Sequence, residues 1–312
     1  MADSIGASGS SGSSGSANSF TALVNPSAAN GRAGGRLLPV ARALRAAGAT
    51  LSVEYSRSGA HAASLAAEAM RRGDAVLAVG GDGTVGAIAG VVDAAGGVLG
   101  LIPAGRGNDF ARQLGVPDGP EDLAAVLLGP SRPIDVIEVG DRIVLGSVYA
   151  GLDSVANEIA NRTRALPDAW IYKYAGLRAI VRWQPATYQV TVDGAEHEVR
   201  GYGVVVANSG YYGNGLHIAP DAREDDGLLE IVLLGEVSRM LFLRILQELP
   251  TGAHTVRPEV RILRGREVRV SANRPVPAYG DGEPVGAALP VTARVRAASL
   301  RFLAPPRAGS DT

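Results

Sequence analysis

Along the first 130 residues, apolar positions come in short blocks cut by glycine-rich turns. Residues 20–24, 51–55, 75–79 and 98–102 read as buried strands, each closed by glycine, proline or a polar turn. Between them, apolar spacing at Leu37, Val40, Ala41 and Leu44 predicts a helix over about 36–47. Alanine-rich residues 62–71 predict a second, and 85–92 start a third. Strand alternating with helix predicts a parallel sheet covered on both faces. Ligands of such sheets sit beyond the carboxyl ends of the strands. The polar loops 25–35, 80–84 and 103–109 all fall on that edge.

The rhythm changes after about Ser131. Residues 132–139, 142–149, 187–193, 197–208, 228–234, 260–263, 266–272 and 290–303 read as strands joined by turns. Helices near 153–183 and 236–249 interrupt them. Many short strands with turn signals predict a β-sandwich. The expected architecture is therefore α/β + β: a doubly wound α/β nucleotide-binding domain over 19–130 and a β-sandwich over 131–305. The last strand is placed to return to the first domain, and the active site is expected in the interdomain cleft. Residues 1–18, rich in Ser, Gly and Ala, and 306–312 read as tails.

Four loops carry candidate chemistry. Gly80-Gly81-Asp82-Gly83-Thr84 ends a strand and opens a helix, an arrangement that can hold a phosphate and its metal, or serve as an ordinary βα turn. Pro103 to Phe110 includes Gly105, Arg106, Asn108 and Asp109, where Asn and Asp can cap a helix, bind a ligand, or do both. Residues 217–229 hold the acidic turn Glu224-Asp225-Asp226, a hairpin turn or a hard-cation site using a carboxylate and carbonyls. Asp281-Gly282-Glu283 reads either as a hairpin turn between strands 266–272 and 290–303 or as the source of a general base.

Composition narrows the field. The chain is 46% hydrophobic and 20% charged with a net charge of −1, so no basic field argues for nucleic acid. Cysteine is absent, which excludes disulfides and thiolate chemistry, and the four histidines lack metal-ligand spacing. No apolar stretch is long enough to span a bilayer, and no leader pattern opens the chain; a cytoplasmic protein is expected.

Together, Asn25-Pro26, residues 80–84, Pro103-x-Gly105-x-x-Asn108-Asp109-Phe110, Pro220-x-Ala222-x-x-x-Asp226-Gly227-Leu228-Leu229 and Asp281-Gly282-Glu283-Pro284 resemble the diacylglycerol kinase catalytic domain family. That family includes bacterial lipid kinases and sphingosine and ceramide kinases. The resemblance implies phosphoryl transfer from ATP with Mg2+ to a lipid hydroxyl, most simply that of diacylglycerol. It leaves open a sphingoid base or other hydroxylated lipid as acceptor, or a catalytically weakened nucleotide- or lipid-binding regulator. NAD kinases share the first glycine motif but fit the Asp226 and Asp281 motifs less well.

On this resemblance Asn25, Pro26 and Ser56 line the nucleotide site, the backbone of Gly80, Gly81, Gly83 and Gly86 holds phosphates, and Asp82 and Thr84 join the Mg-water network. Asp109 and Asp135 extend it. A structural Mg2+ takes the Asp226 carboxylate with the carbonyls of Arg223 and Leu228, and Asp281 or Glu283 acts as base. Arg106 stands where the family carries a threonine that contacts ATP, so it either contacts a phosphate or obstructs nucleotide. Gly146 replaces a common asparagine. Arg32 is a candidate phosphate ligand or a solvated side chain. Residues 161–183 mix arginines with Trp170, Tyr172, Tyr174 and Trp183, a composition that suits peripheral contact with a membrane surface or packing on the sandwich. A homodimer is compatible with these features.

Overall fold

In the computed structural model, which describes residues 18–26, 33–163 and 168–307, the chain opens in strict alternation. Strands β1 (Ser19–Val24), β2 (Thr50–Tyr55), β3 (Ala75–Gly80) and β4 (Val98–Pro103) pair in parallel in the order β2-β1-β3-β4. Helices α1 (Ala33–Ala46), α2 (Gly59–Arg71), α3 (Asp82–Ala94), α4 (Asp109–Gln113) and α5 (Pro120–Leu128) connect and cover them. Alternate residues of β3 serve opposite faces. Leu77 and Val79 pack with Leu37 and Leu44 of α1 and Leu127 of α5. Val76 and Ala78 pack with Ala66 of α2 and Ile88 of α3. Helix α5 was not anticipated from apolar spacing. Its signal is local: Pro120 at the first helical position and Glu121 and Asp122 in the first turn.

The remaining elements are β5 (Arg132–Val139), β6 (Arg142–Val144), β7 (Ser147–Gly151), α6 (Leu152–Arg162), α7 (Asp168–Arg182), β8 (Ala186–Val192), β9 (Ala195–Ala207), β10 (Tyr211–Tyr212) and β11 (Leu216–His217). After them come β12 (Leu229–Gly235), α8 (Arg239–Glu248), β13 (Val260–Gly265), β14 (Glu267–Ala272), β15 (Ala278–Gly280), β16 (Glu283–Pro284) and β17 (Val291–Leu303). The strands of this half pair mostly antiparallel. On one side they enclose a core in which Val148, Tyr188, Val204, Ile231 and Val268 meet Ile180 of α7, Trp183 just after it and Phe242 of α8, and on the other a smaller cluster with Tyr149, Val205 and Val232. β17 pairs antiparallel with β14 and β5, then parallel with β4, so a single fifteen-stranded sheet runs through the molecule.

Three local expectations change. The single strand expected over 142–149 is two strands, because the amides of Leu145, Gly146 and Ser147 turn to the Asp281 carboxylate. The long helix expected near 153–183 is two helices; Thr163 leaves the helical conformation at φ −91° and ψ 105°. Asp281-Gly282 does not join strands 266–272 and 290–303. With φ of 48° and 88°, the pair turns between β15 and β16, and β15 pairs with β7.

Asp135 on β5 ties the turn before β12 to the irregular stretch of β17. Its carboxylate is 1% exposed and accepts the amide N–H groups of Gly227 and Ala298, each at 2.7 Å. Ala298 lies in the irregular stretch where β17 shifts register against β5, with φ of 51°. The carboxylate thus satisfies two amides that the ladder leaves over. Asp135→Ala removes the acceptor of both amides at a partly buried position and is expected to cost about 1–2 kcal/mol of unfolding free energy, measured by urea titration.

Candidate active site

Every strand of the parallel sheet ends at one cleft of about 750 Å3. Asn25 follows β1, Ser56 follows β2, residues 81–84 follow β3 and Gly105 follows β4, so this is the carboxyl edge of the sheet. The facing wall comes from the antiparallel half: β6, Gly280, Asp281 and Glu283.

The floor depends on two glycines. The loops after β3 and β4 lie in contact, so that a Cβ on Gly105 would stand 2.4 Å from the Gly81 Cα, and one on Gly81 would stand 3.0 Å from the Gly105 Cα. Any side chain at Gly105 forces the loops apart. Helix α3 starts here, with Gly81 as its cap and no side chain bonded across its first turn. Its first internal bond runs from the Thr84 N–H to the Gly81 carbonyl at 2.9 Å. The amides of Asp82 and Gly83 precede that bond and, with the helix dipole, favour an anion. Thr84 is largely buried on this turn. Ser56 is also buried; its hydroxyl donates to the Val24 carbonyl at 3.2 Å and keeps its oxygen as an acceptor. Gly80 closes β3, and Pro26 forms the turn after Asn25.

Carboxylates hold the surrounding loops. Asp82 Oδ2 and Oδ1 accept the amides of Asp109 and Phe110 at 3.1 and 3.0 Å, capping α4. Asp109 in turn accepts the amides of Asn214 and Gly215 at 2.8 and 2.7 Å and pairs with Arg112. Burial pushes the Asp109 carboxyl above its ordinary range, and the charge of Asp82 adds to this. Asp281 accepts N–H groups from Leu145, Gly146 and Ser147 at 2.8 to 3.1 Å. Burial nevertheless outweighs those donors and pushes its pKa up to about 6. Glu283, two residues on, is exposed on the same wall.

The expected site residues therefore divide. Asn25, Ser56, Gly81, Asp82, Gly83, Thr84, Asp281 and Glu283 line one cleft, with Gly80, Pro26 and Asp109 directly behind or beside it. Arg106 is exposed and does not line that cleft, although its neighbour Gly105 does. Asp135 is not brought to it either; both its oxygens are engaged as described above. Arg32 lies outside the described residues. Arg57 and Arg142 do line the cleft and were not singled out. Arg57 directly follows Ser56 and was legible in that motif. Arg142 is carried to the wall by pairing of β6 with β5 and by its bond to the Pro284 carbonyl, which no local pattern signals.

The two expected Mg2+ positions differ. Among the described residues no three His, Asp or Glu side chains cluster closely enough to hold an ion by themselves. Asp82 stands at a helix start that favours an anion, and each of its oxygens, though it accepts one loop amide, keeps a lone pair, so it fits Mg2+ that arrives with phosphates, since that ion commonly takes one or two carboxylates plus phosphate oxygens. At the second position, Asp226 Oδ1 accepts the Leu228 amide and Oδ2 holds Arg264 at 2.7 Å. Arg264 also reaches Glu230 at 2.7 Å. A guanidinium therefore stands where the Arg223, Asp226 and Leu228 set would place a metal, and the arrangement does not fit a second ion unless that arginine moves.

The Asp281 carboxyl supplies a pH test. Its ordinary value is 3.8 and its folded value about 6, so between these the folded state holds a proton that the unfolded chain has released. Stability from this group falls as pH rises through that window and is level above it. In Asp281→Asn an NH2 group faces backbone donors, which lowers the melting temperature. The wild-type advantage over this variant is expected to shrink from about pH 4 to about pH 6 in thermal melts.

Residues 19–139 match the model of the diacylglycerol kinase catalytic domain, and residues 146–304 match that of the YegS C-terminal NAD kinase beta sandwich-like domain. The diacylglycerol kinase of Mycobacterium tuberculosis (strain ATCC 25618 / H37Rv) is 35% identical over 297 residues, covering 91% of this chain and 94% of that protein. A YegS-like lipid kinase of Chromohalobacter salexigens is 31% identical over 77% of this chain and 80% of its own. A solved diacylglycerol kinase from Bacillus anthracis str. Sterne has the same fold, with a TM-score of 0.74 at 21% identity, over 93% of this chain and 98% of the other. With a catalytic domain and a sandwich domain both matched in order, the chain belongs to the diacylglycerol kinase family and is a lipid kinase.

Proposed function

We propose that this enzyme moves the γ-phosphoryl group of ATP, bound with Mg2+, to the hydroxyl of diacylglycerol at a membrane surface, yielding phosphatidic acid and ADP. The observation that carries this reading is the cleft itself, with an anion-favouring helix start on its floor and an exposed carboxylate, Glu283, on the opposite wall. The assignment of diacylglycerol as acceptor rests on the names of the relatives.

Nucleotide enters between the loop after β2 and the start of α3, where Ser56 offers an acceptor and Asn25 a polar side chain. The first amides of α3 take phosphate oxygens, and Arg57 and Arg142 bring positive charge to the walls. Mg2+ bound to the phosphates would neutralise further charge as the P–O bond to ADP breaks. Glu283 accepts the proton of the lipid hydroxyl while that oxygen forms its bond to the γ-phosphorus. Glu283 is the better base because Asp281 has both oxygens engaged by loop amides. Arg106, exposed away from the cleft wall, does not obstruct it, which weighs against a weakened regulator.

Purified protein incubated with labelled ATP and extracted lipids is expected to yield labelled phosphatidic acid; a labelled sphingoid product instead would reassign the acceptor. Glu283→Gln should lower kcat by about a hundredfold or more while leaving the melting temperature unchanged, whereas Asp281→Asn should lower both. Full turnover in Glu283→Gln would remove it as the base.

A further inference from the structure

One face of the sandwich half is apolar yet belongs to neither the core nor the cleft. On α7, Tyr174, Leu177 and Val181 recur at spacings of three and four and so share one side. All three are exposed, Leu177 at 63% and Val181 at 59%. The other side of the helix buries Ala175, Ala179 and Ile180. Helix α8 is built alike: Phe242 and Ile245 are buried, while Met240, at 76%, and Leu243 are exposed. The two helices lie near each other, since Arg239 Nη2 at the start of α8 donates to the Val181 carbonyl near the end of α7 at 3.1 Å, and both enter the same core.

Basic side chains outnumber acidic ones on these two helices. Arg178 and Arg182 extend from α7, Arg239 and Arg244 from α8. Glu236 and Glu248, on α8 and its approach, are paired with Arg200 and Arg257. Surface apolar patches rimmed by charge mark contact sites. An apolar ridge flanked by guanidinium groups is complementary to a bilayer interface with anionic headgroups: the ridge enters the acyl boundary and the arginines take phosphates. The position also serves the reaction. Helix α6, packed on α7, reaches the cleft wall, where Asn157 Nδ2 donates to the Gly282 carbonyl at 3.0 Å. The ridge is thus one helix away from Glu283.

We propose that the outward faces of α7 and α8 are the surface by which this enzyme docks on an anionic bilayer, with Leu177, Val181, Met240 and Leu243 inserted. Its purpose rests on the lipid-kinase reading above; its geometry does not. The test is sedimentation of the whole protein with vesicles of phosphatidylcholine alone or with about one third phosphatidylglycerol. The wild type should prefer the mixed vesicles, less so at high salt. Leu177→Ser/Met240→Ser should weaken binding at least about tenfold with an unchanged melting temperature. Arg182→Glu/Arg244→Glu should remove the preference for anionic vesicles. Should the first pair fold poorly, Val181→Asn/Leu243→Asn makes the same cut. Binding unchanged in both apolar pairs overturns the proposal. So does a wild-type dimer that these substitutions dissociate while vesicles bind nothing, which would seat a second copy there. Vesicle binding that is lost in the variants, with no labelled lipid product from the wild type, would uphold the surface while refuting the lipid reading.

Discussion

The contact between the Asp281 carboxylate and the amides of Leu145, Gly146 and Ser147 holds the cleft in shape. It breaks one long strand into β6 and β7, and β6 carries Arg142 to the wall. It fixes the turn whose next residue but one is Glu283. The same device recurs around the site. Asp82 takes the first amides of α4, Asp109 takes those of the β10–β11 hairpin, and Asp135 takes one from the turn before β12 and one from the irregular stretch of β17. A carboxylate that accepts two or three backbone donors positions a loop more firmly than a water shell does. These acids therefore act as joints between the loops.

This chain of joints links the two halves. The β3–α3 turn grips α4 through Asp82, and α4 grips the hairpin of the sandwich half through Asp109 and through Gln113, which also bonds Glu224. The floor and the opposite wall of the cleft are thus set by contacts within one continuous sheet and by a few polar side chains that join its loops.

How far the sequence reveals this depends on the range of the interaction. The alternation of apolar strands and amphipathic helices up to residue 130 is local, and β1 to β4 and α1 to α3 follow it. The glycine at position 105 is legible as a motif, but its reason, the approach of Gly81, is a contact between separate loops. Asp281 and Glu283 look alike in sequence. Only the fold distinguishes the buried carboxylate with three amide donors from the exposed one. Asp226 shows the same limit, since its arginine partner comes from a strand nearly forty residues later. The outward faces of α7 and α8 were half visible: the α7 segment stood out by composition, while α8 became its neighbour only in three dimensions.

β17 has a consequence for how the molecule is made. The edge of β4, which carries Leu99 and Leu101, is covered by a strand that is synthesised long after it. Until that strand arrives, the nucleotide half presents an open apolar edge and β5 lacks its main partner. The nascent chain must therefore hold a sheet that is unfinished on one side while nearly everything after it is translated. The parallel sheet and the cleft at its carboxyl edge thus gain their last supporting strand late, and a chain cut short before Val291 would leave that apolar edge open.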